Sequence, residues 1–176
     1  FMEQTSPTYL EIDDVDKVLI SLGLNRNDLL LEQLPMVVNT GNSFMIIPLK
    51  DRKTLSDLHP NHELINEISE KYDLIGYYAF CLDLDNTDAQ TRMFAPYYGI
   101  EEESGTGMAA GPLACYLHDK LKMEKSEFAF IQGADMNEPS PSLINVNLNL
   151  KDNSIESLMA GGKGLLSTTQ EITISN

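Results

Sequence analysis

Between Met108 and Leu117 the chain carries almost no polar side chain, and this stretch constrains the fold more than any other. Met108, Ala109, Leu113, Ala114, Tyr116, Leu117 and Leu121 leave no polar face before His118. A helix that is apolar all round is enclosed by other structure rather than laid on a surface. Directly ahead of it, Glu101-Glu102-Glu103-Ser104-Gly105-Thr106-Gly107 reads as an acidic, Gly-rich turn. The first N–H groups of a helix have no intrahelical acceptor and point where a negatively charged group could sit. The expectation is a buried helix whose N-terminus opens into a cleft.

The surroundings of that helix read mainly as strands. Pro7 to Ile12 alternates, Pro35 to Val38 and Phe44 to Leu49 flank the turn cluster Asn39–Ser43, and the second of these is apolar enough to be buried on both faces. Ile75 to Leu84, Gln90 to Pro96 and Phe128 to Gly133 follow. In Ile144 to Leu150 apolar residues and Asn alternate strictly, so one face is core and the other is wet. Ser157 to Leu166 and Glu171 to Ile174 close the tally at about eight strands. A helix capped by Asp13 or Asp14 carries Val15, Val18, Leu19 and Leu22 on one face and stops at Gly23. A second, from Thr54 to Glu70, buries Leu55, Leu58, Leu64, Ile65 and Ile68. The fold class is α+β: a barrel-like, mostly antiparallel sheet wrapped around a central apolar helix.

Composition limits what such a fold can bind. With 176 residues and 42% apolar side chains, residues 1–176 form a single domain with a proper core. The formal charge of −15, with 12 basic residues scattered singly, argues against nucleic acid and anionic membranes as partners. No apolar run reaches the ~20 residues of a membrane helix, and no charged-then-apolar leader is present. Cys81 and Cys115 each lie in an apolar stretch and read as buried small hydrophobes, which fits a reducing cytoplasm. His59 and His62 stand three apart, but Pro60 interrupts the frame and no third ligand recurs nearby, so they read as solvated surface residues.

No Ser–His–Asp pattern, P-loop or zinc spacing is present, and Gly105-x-Gly107 is too short for a dinucleotide fingerprint. What remains is three glutamates beside a helix N-terminus. Either they complement the helix dipole and face water, or one points into a cleft with its proton affinity tuned for acid–base work. Spacing alone favours the first account.

The residues Arg92-x-Phe94-Ala95-Pro96-x-x-Gly99-Ile100-x-Glu102-Glu103-x-x-Thr106-Gly107-x-Ala109 resemble the signature of the phenazine-biosynthesis PhzF-like family. Val38-Asn39-Thr40-Gly41, Gln132-Gly133 ahead of Pro139-Ser140, and Gly161-Gly162 agree in order and spacing. The resemblance implies a diaminopimelate epimerase-like fold of two similar lobes with the active site between them, and this chain resembles the C-terminal lobe. It implies a cofactor-independent isomerase or epimerase acting on a small carboxylate-bearing molecule, with no metal and with the acid–base glutamate on an N-terminal lobe that has no counterpart here. Glu103 falls where the family has an aspartate lining the cleft. Thr106 and Gly107 match unchanged and, with Gly105, would hold a substrate carboxylate through backbone N–H groups.

Three positions depart from that pattern. Glu103 is one methylene longer than aspartate, Met108 replaces a serine hydroxyl, and Glu138 stands where many members have arginine. These departures argue against chemistry identical to that of the phenazine isomerase, and this lobe alone is expected to be inactive. They motivate a second reading, a non-catalytic binding or dimerisation module that keeps the fold. The face meant for the other lobe should be apolar, so a homodimer through it is a further expectation.

Overall fold

A computed structural model describes residues 1–83 and 87–164. It contains one curled sheet built from β1 (Met2–Thr5), β2 (Thr8–Glu11), β3 (Met36–Asn39), β4 (Ser43–Leu49), β5 (Gly76–Leu82), β6 (Ala89–Ala95), β7 (Ile100–Glu103), β8 (Glu127–Gln132), β9 (Ser142–Lys151) and β10 (Ser154–Gly161). The strands run in the order β1-β10-β9-β8-β6-β5-β4-β3-β2, with β7 paired to β6 beside this path. All pairs are antiparallel except β4 with β5 and β6 with β8. A parallel pair needs a crossover connection. The first crossover carries α2 (Arg52–Ser56) and α3 (His62–Tyr72), and the second carries β7 and α4 (Gly107–Asp119).

The two crossovers cover opposite faces. Along β4, Phe44 and Ile46 join Tyr78 and Phe80 of β5 in a core around α4. Their neighbours Met45, Ile47 and Leu49, with Tyr77, Ala79 and Cys81, face a second core formed with α2, α3 and α1 (Val15–Ile20). Successive side chains of a strand point to opposite faces, so a strand covered on both sides is apolar throughout. From β8 onward the described residues cover only the face toward α4: Ile144, Val146 and Leu148 of β9 are buried, while Asn147 and Asn149 are exposed. The sheet therefore forms a half-barrel around α4, with helices α1 to α3 outside one half of it.

α4 is buried from Ala109 to His118, as its sequence requires. Small residues let the sheet approach it closely. A Cβ on Gly111 would lie 2.0 Å from Gln4 Oε1 and 2.7 Å from Leu158 Cδ1, so a larger residue would push both side chains aside. At the far end the Tyr9 hydroxyl donates to Asp119 Oδ2 at 2.6 Å, and His118 Nδ1 lies 2.7 Å from Asp119 Oδ1. The curl brings the edge strand β1 to the β3–β4 turn, where the Thr5 N–H donates to Thr40 O at 3.2 Å.

Several elements differ from the sequence expectation. The described residues hold ten strands rather than about eight. β1 has only four residues, and the one it buries is Gln4, so no apolar alternation announces it. The acidic stretch is not wholly a turn, because Ile100–Glu103 is a strand. β8 pairs only with Ala89–Thr91 of β6 and leaves the Met93–Ala95 edge open, which β7 fills. The single helix expected over Thr54–Glu70 is two, separated around Pro60 and each with its own cap. Asp51 accepts from the Thr54 N–H at 2.7 Å, and Asn61 accepts from the Leu64 N–H at 3.1 Å. The expected strand Glu171–Ile174, the end of Ser157–Leu166 and Leu84 lie outside the described residues.

Candidate functional site

The three glutamates have separate fates. Arg92 projects from β6 toward the outer core and is 7% exposed. Its guanidinium donates to both carboxylate oxygens of Glu102, at 2.7 and 2.8 Å, and to the carbonyls of Leu55 and Ser56 at 3.3 and 3.2 Å. Such a fork-to-carboxylate pair is directional as well as strong. Glu102 is thus a structural tie between β7, β6 and the end of α2, an arrangement that neither account of the glutamates foresaw. Glu101 is exposed. Glu103 is half-buried, and its Oε1 accepts from the Ser104 N–H at 3.0 Å.

Between Glu103 and α4 the chain is held by β8. Gln132 continues the inward stripe of Phe128 and Phe130 and is fully buried. Its Nε2 donates to Glu103 O at 2.6 Å and to Thr106 Oγ1 at 3.0 Å, while its Oε1 accepts from the Thr106 N–H at 3.1 Å and the Tyr78 hydroxyl at 3.0 Å. The Tyr78 hydroxyl also lies 3.0 Å from Thr91 Oγ1, which donates on to Ile131 O at 3.2 Å. Burial raises the Tyr78 pKa above the usual tyrosine range, so this chain of groups is neutral. Next to Gln132, Gly133 has φ +82° and faces Ser104 and Ser140 closely. A Cβ there would lie 2.8 Å from Ser104 O and 2.4 Å from Ser140 O. This contact packs the Gln132-Gly133 turn directly against Ser140.

The expected site residues therefore lie on one short segment. Glu103 ends β7, Gly105 is exposed, Thr106 is the N-cap of α4 and is buried, and Gly107 and Met108 are its first two residues. The first ladder bonds run from the N–H groups of Ala109 and Ala110 to Thr106 O, at 3.2 and 3.1 Å. The Gly107 and Met108 N–H groups precede them and have no intrahelical acceptor. Beside this helix end lies a groove of about 620 Å³, walled by Glu3 to Ser6, the Thr40–Asn42 turn, Glu156 and Ser157. That volume is in the range of small-molecule sites. Of the five expected residues Met108 alone lines it; the carboxylate of Glu103 and the Gly105–Gly107 backbone lie outside its wall.

Sequence reading missed the residues that hold the groove to the helix. Gln4 Nε2 donates to Gly107 O at 2.9 Å, its Oε1 accepts from Thr40 Oγ1 at 2.6 Å, and Asn42 Nδ2 lies 3.6 Å from Met108 Sδ. Nothing in a polar pentapeptide signals such a bridge. Gln132 did carry a signal, since a glutamine at the third inward position of Phe-x-Phe-x-Gln breaks an apolar stripe. Among the described residues no three His, Cys, Asp or Glu side chains converge as a metal site. His59 is exposed, and His62 is half-buried with an unpartnered Nδ1. The two cysteines are free and buried. Burial pushes the Cys81 thiol up to about 11 and the Cys115 thiol up to about 12, so both stay protonated and unreactive at neutral pH. Glu138 is exposed. No helix of the described residues is long and apolar enough to cross a membrane.

Residues 1–169 match the family described as phenazine biosynthesis-like protein. An uncharacterized isomerase of Clostridium acetobutylicum is 39% identical over 109 residues, covering 60% of this chain and 36% of that protein. The trans-2,3-dihydro-3-hydroxyanthranilate isomerase of Pseudomonas aeruginosa is 29% identical over 141 residues, covering 79% of this chain and 47% of that protein. The crystal structure of a Bacillus anthracis phenazine biosynthesis protein of the PhzF family is similar in fold. Its TM-score is 0.76 at 23% identity, over 92% of this chain and 56% of that one. The chain spans about half the length of the curated relatives it matches.

Proposed function

The chain belongs to the phenazine biosynthesis-like protein family, and from that premise we propose that it is the substrate-binding lobe of a cofactor-independent isomerase or epimerase. Residues 1–176 would form one domain, a diaminopimelate epimerase-like lobe, facing a second lobe across the active site. The substrate is a small molecule bearing a carboxylate. The observation that carries this reading is the α4 N-terminus, whose Gly107 and Met108 N–H groups have no intrahelical acceptor and stand on the same short segment as Glu103.

The chemistry is a proton shift at a carbon next to the carboxylate. N–H donors at a helix start favour an anion, and they stabilise the charge that develops as the proton leaves. Gly107 and Met108 would hold the carboxylate, because the Thr106 N–H expected to share in this is taken up by Gln132 Oε1, and Gly105 would allow close approach. Glu103, turned from its Ser104 contact, would receive or return the proton on one face of the substrate. The acid–base glutamate of the other lobe serves the other face. Named isomerases among the relatives support the reaction class.

The test is deuterium incorporation from solvent by the intact native protein, offered a panel of small amino and hydroxy acids. Exchange at the carbon next to the carboxylate is expected for at least one of them. Glu103→Gln should lower its rate by roughly 100-fold or more, the usual contribution of a positioned acid–base group. A Glu103→Gln variant as active as the parent would sink the assignment. One observation favours a non-catalytic binding or dimerisation module instead. Met108, 38% exposed on the groove wall, presents a thioether that cannot donate a hydrogen bond to a ligand. Absence of exchange across the panel, together with a concentration-dependent dimer, would favour that module.

A further inference from the structure

Gln132 has no role in the reaction as drawn, yet its surroundings are unusually complete. A side-chain amide has two donor hydrogens and two acceptor lone pairs. All four are used here, on Glu103 O, Thr106 Oγ1, the Thr106 N–H and the Tyr78 hydroxyl. The partners also fix which end is which. The Thr106 N–H can only donate and the Glu103 carbonyl can only accept, so a flipped amide would oppose both.

The consequence falls on Thr106. A threonine at the N-cap position ordinarily turns its hydroxyl to accept from the second or third N–H of the helix, closing the helix start on itself. Thr106 occupies that position and makes no such bond. Its Oγ1 instead accepts from Gln132, and its backbone is fixed by the same amide. We propose that Gln132 is a positioning residue that keeps the α4 N-terminus uncapped by holding the Thr106 hydroxyl away from it, so that a substrate carboxylate takes the place of the cap. This inference rests on the carboxylate-binding reading given above, and it adds the residue that keeps that place open. The arrangement also links the open helix start to Glu103, because one amide ties the residues on both sides of Ser104 and Gly105.

The test uses the ¹⁵N-labelled chain titrated with sodium acetate as a minimal carboxylate. In the parent, the Gly107 and Met108 N–H signals should move with acetate. In Gln132→Leu the freed Thr106 hydroxyl should cap the helix. The Met108 N–H then becomes protected from solvent exchange without ligand, and acetate binding weakens by roughly fivefold, the size expected when a capping bond must first be displaced. The double variant Gln132→Leu/Thr106→Val lacks the hydroxyl and should recover acetate binding, an effect that mere loss of packing would not produce. A folded Gln132→Leu that titrates like the parent, or a double variant with no recovery, overturns the proposal.

Should Gln132→Leu fail to fold, the parent decides. A through-hydrogen-bond coupling from the Gln132 side-chain amide to the Glu103 carbonyl carbon is expected, with slow exchange of both amide protons. Rapid exchange of those protons overturns the proposal. If the parent itself ignores acetate, the carboxylate reading fails, and the ligand-free protection of the Met108 N–H in Gln132→Leu still judges the role of Gln132 separately.

Discussion

The two halves of the sheet solve the same problem differently. From β3 to β6 both faces are covered, by α4 inside and by α1, α2 and α3 outside, and β5 and β6 bury nearly every residue. From β8 to β10 the outer face meets solvent, and β9 alternates buried Ile144, Val146 and Leu148 with asparagine. The difference shows where this fold can put polar chemistry. On the singly covered half, outward polar residues cost nothing. On the doubly covered half, an outward polar group must be tied, as Arg92 is to Glu102. The candidate site forms where the halves meet, at the ends of β6 and β8, and its two organising polar residues face opposite ways. Arg92 works from the outer side and Gln132 from the inner.

The strongest way to break this comparison is to probe outward positions on each half. Ile47 is fully buried under the outer helices, while Asn147 on β9 is exposed. Ile47→Ala should cost roughly 4 kcal/mol, because a site covered on both sides cannot collapse around the cavity. Asn147→Ala should stay within about 0.5 kcal/mol. Urea unfolding of both variants checks this, and equal costs would mean that the outer helices do not seal the first half. The ion pairs give the next largest contrast. Arg92 and Glu102 are 8% and 16% exposed at their side chains, whereas Lys151 and Glu156 on the open half are 69% and 49% exposed. Arg92→Met should cost about 3 kcal/mol by leaving Glu102 without its partner. Lys151→Met should fall below about 0.5 kcal/mol. Removing Glu102 as well, in Arg92→Met/Glu102→Gln, should recover part of the loss, and no recovery would show that Arg92 acts through the Leu55 and Ser56 carbonyls instead.

What could be read from the sequence follows the same division. The apolar helix, the doubly buried strand at Phe44–Leu49 and the alternating strand at Ile144–Leu150 each carry a periodicity set by which faces are covered, so their elements and burial were legible. β1 and β7 were not, because short edge strands are defined by the open ladder they complete rather than by their own side chains. The site divides likewise. The start of α4 on which it was placed was visible as an acidic, glycine-rich run meeting an apolar one. Which glutamate is tied was invisible, because Arg92 lies ten residues from Glu102, and only the β6–β7 pairing brings them together. Gln132 lies 26 residues from Thr106 and reaches it through the parallel β6–β8 crossover. Gln132 showed as a break in an apolar stripe, but its partner did not, because bonds of that separation leave no local pattern.

The smallest effect expected is also on the covered half, where the outer layer is fastened at its rim. The Asp13 carboxylate, just ahead of α1, accepts from the Lys71 ammonium at 2.8 Å and from the Tyr72 hydroxyl, both at the end of α3. The Lys71 bond, followed by that of Tyr72, holds the Asp13 carboxyl down to about 2. The folded value lies below the unfolded one of about 4, so the contribution is present above pH 4 and is lost as pH falls through about 2. The side chain of Asp13 is 78% exposed, so solvent and salt screen the interaction and the effect should be slight. Asp13→Asn should therefore unfold at a slightly lower urea concentration than the parent at pH 5, with the gap closing by pH 2 and narrowing in high salt. No comparable fastening is required on the open half, where no helix among the described residues lies outside the sheet. A gap that persists unchanged to pH 2 would mean that the Asp13 contact acts through shape rather than charge, and that the rim of the outer layer is held by packing alone.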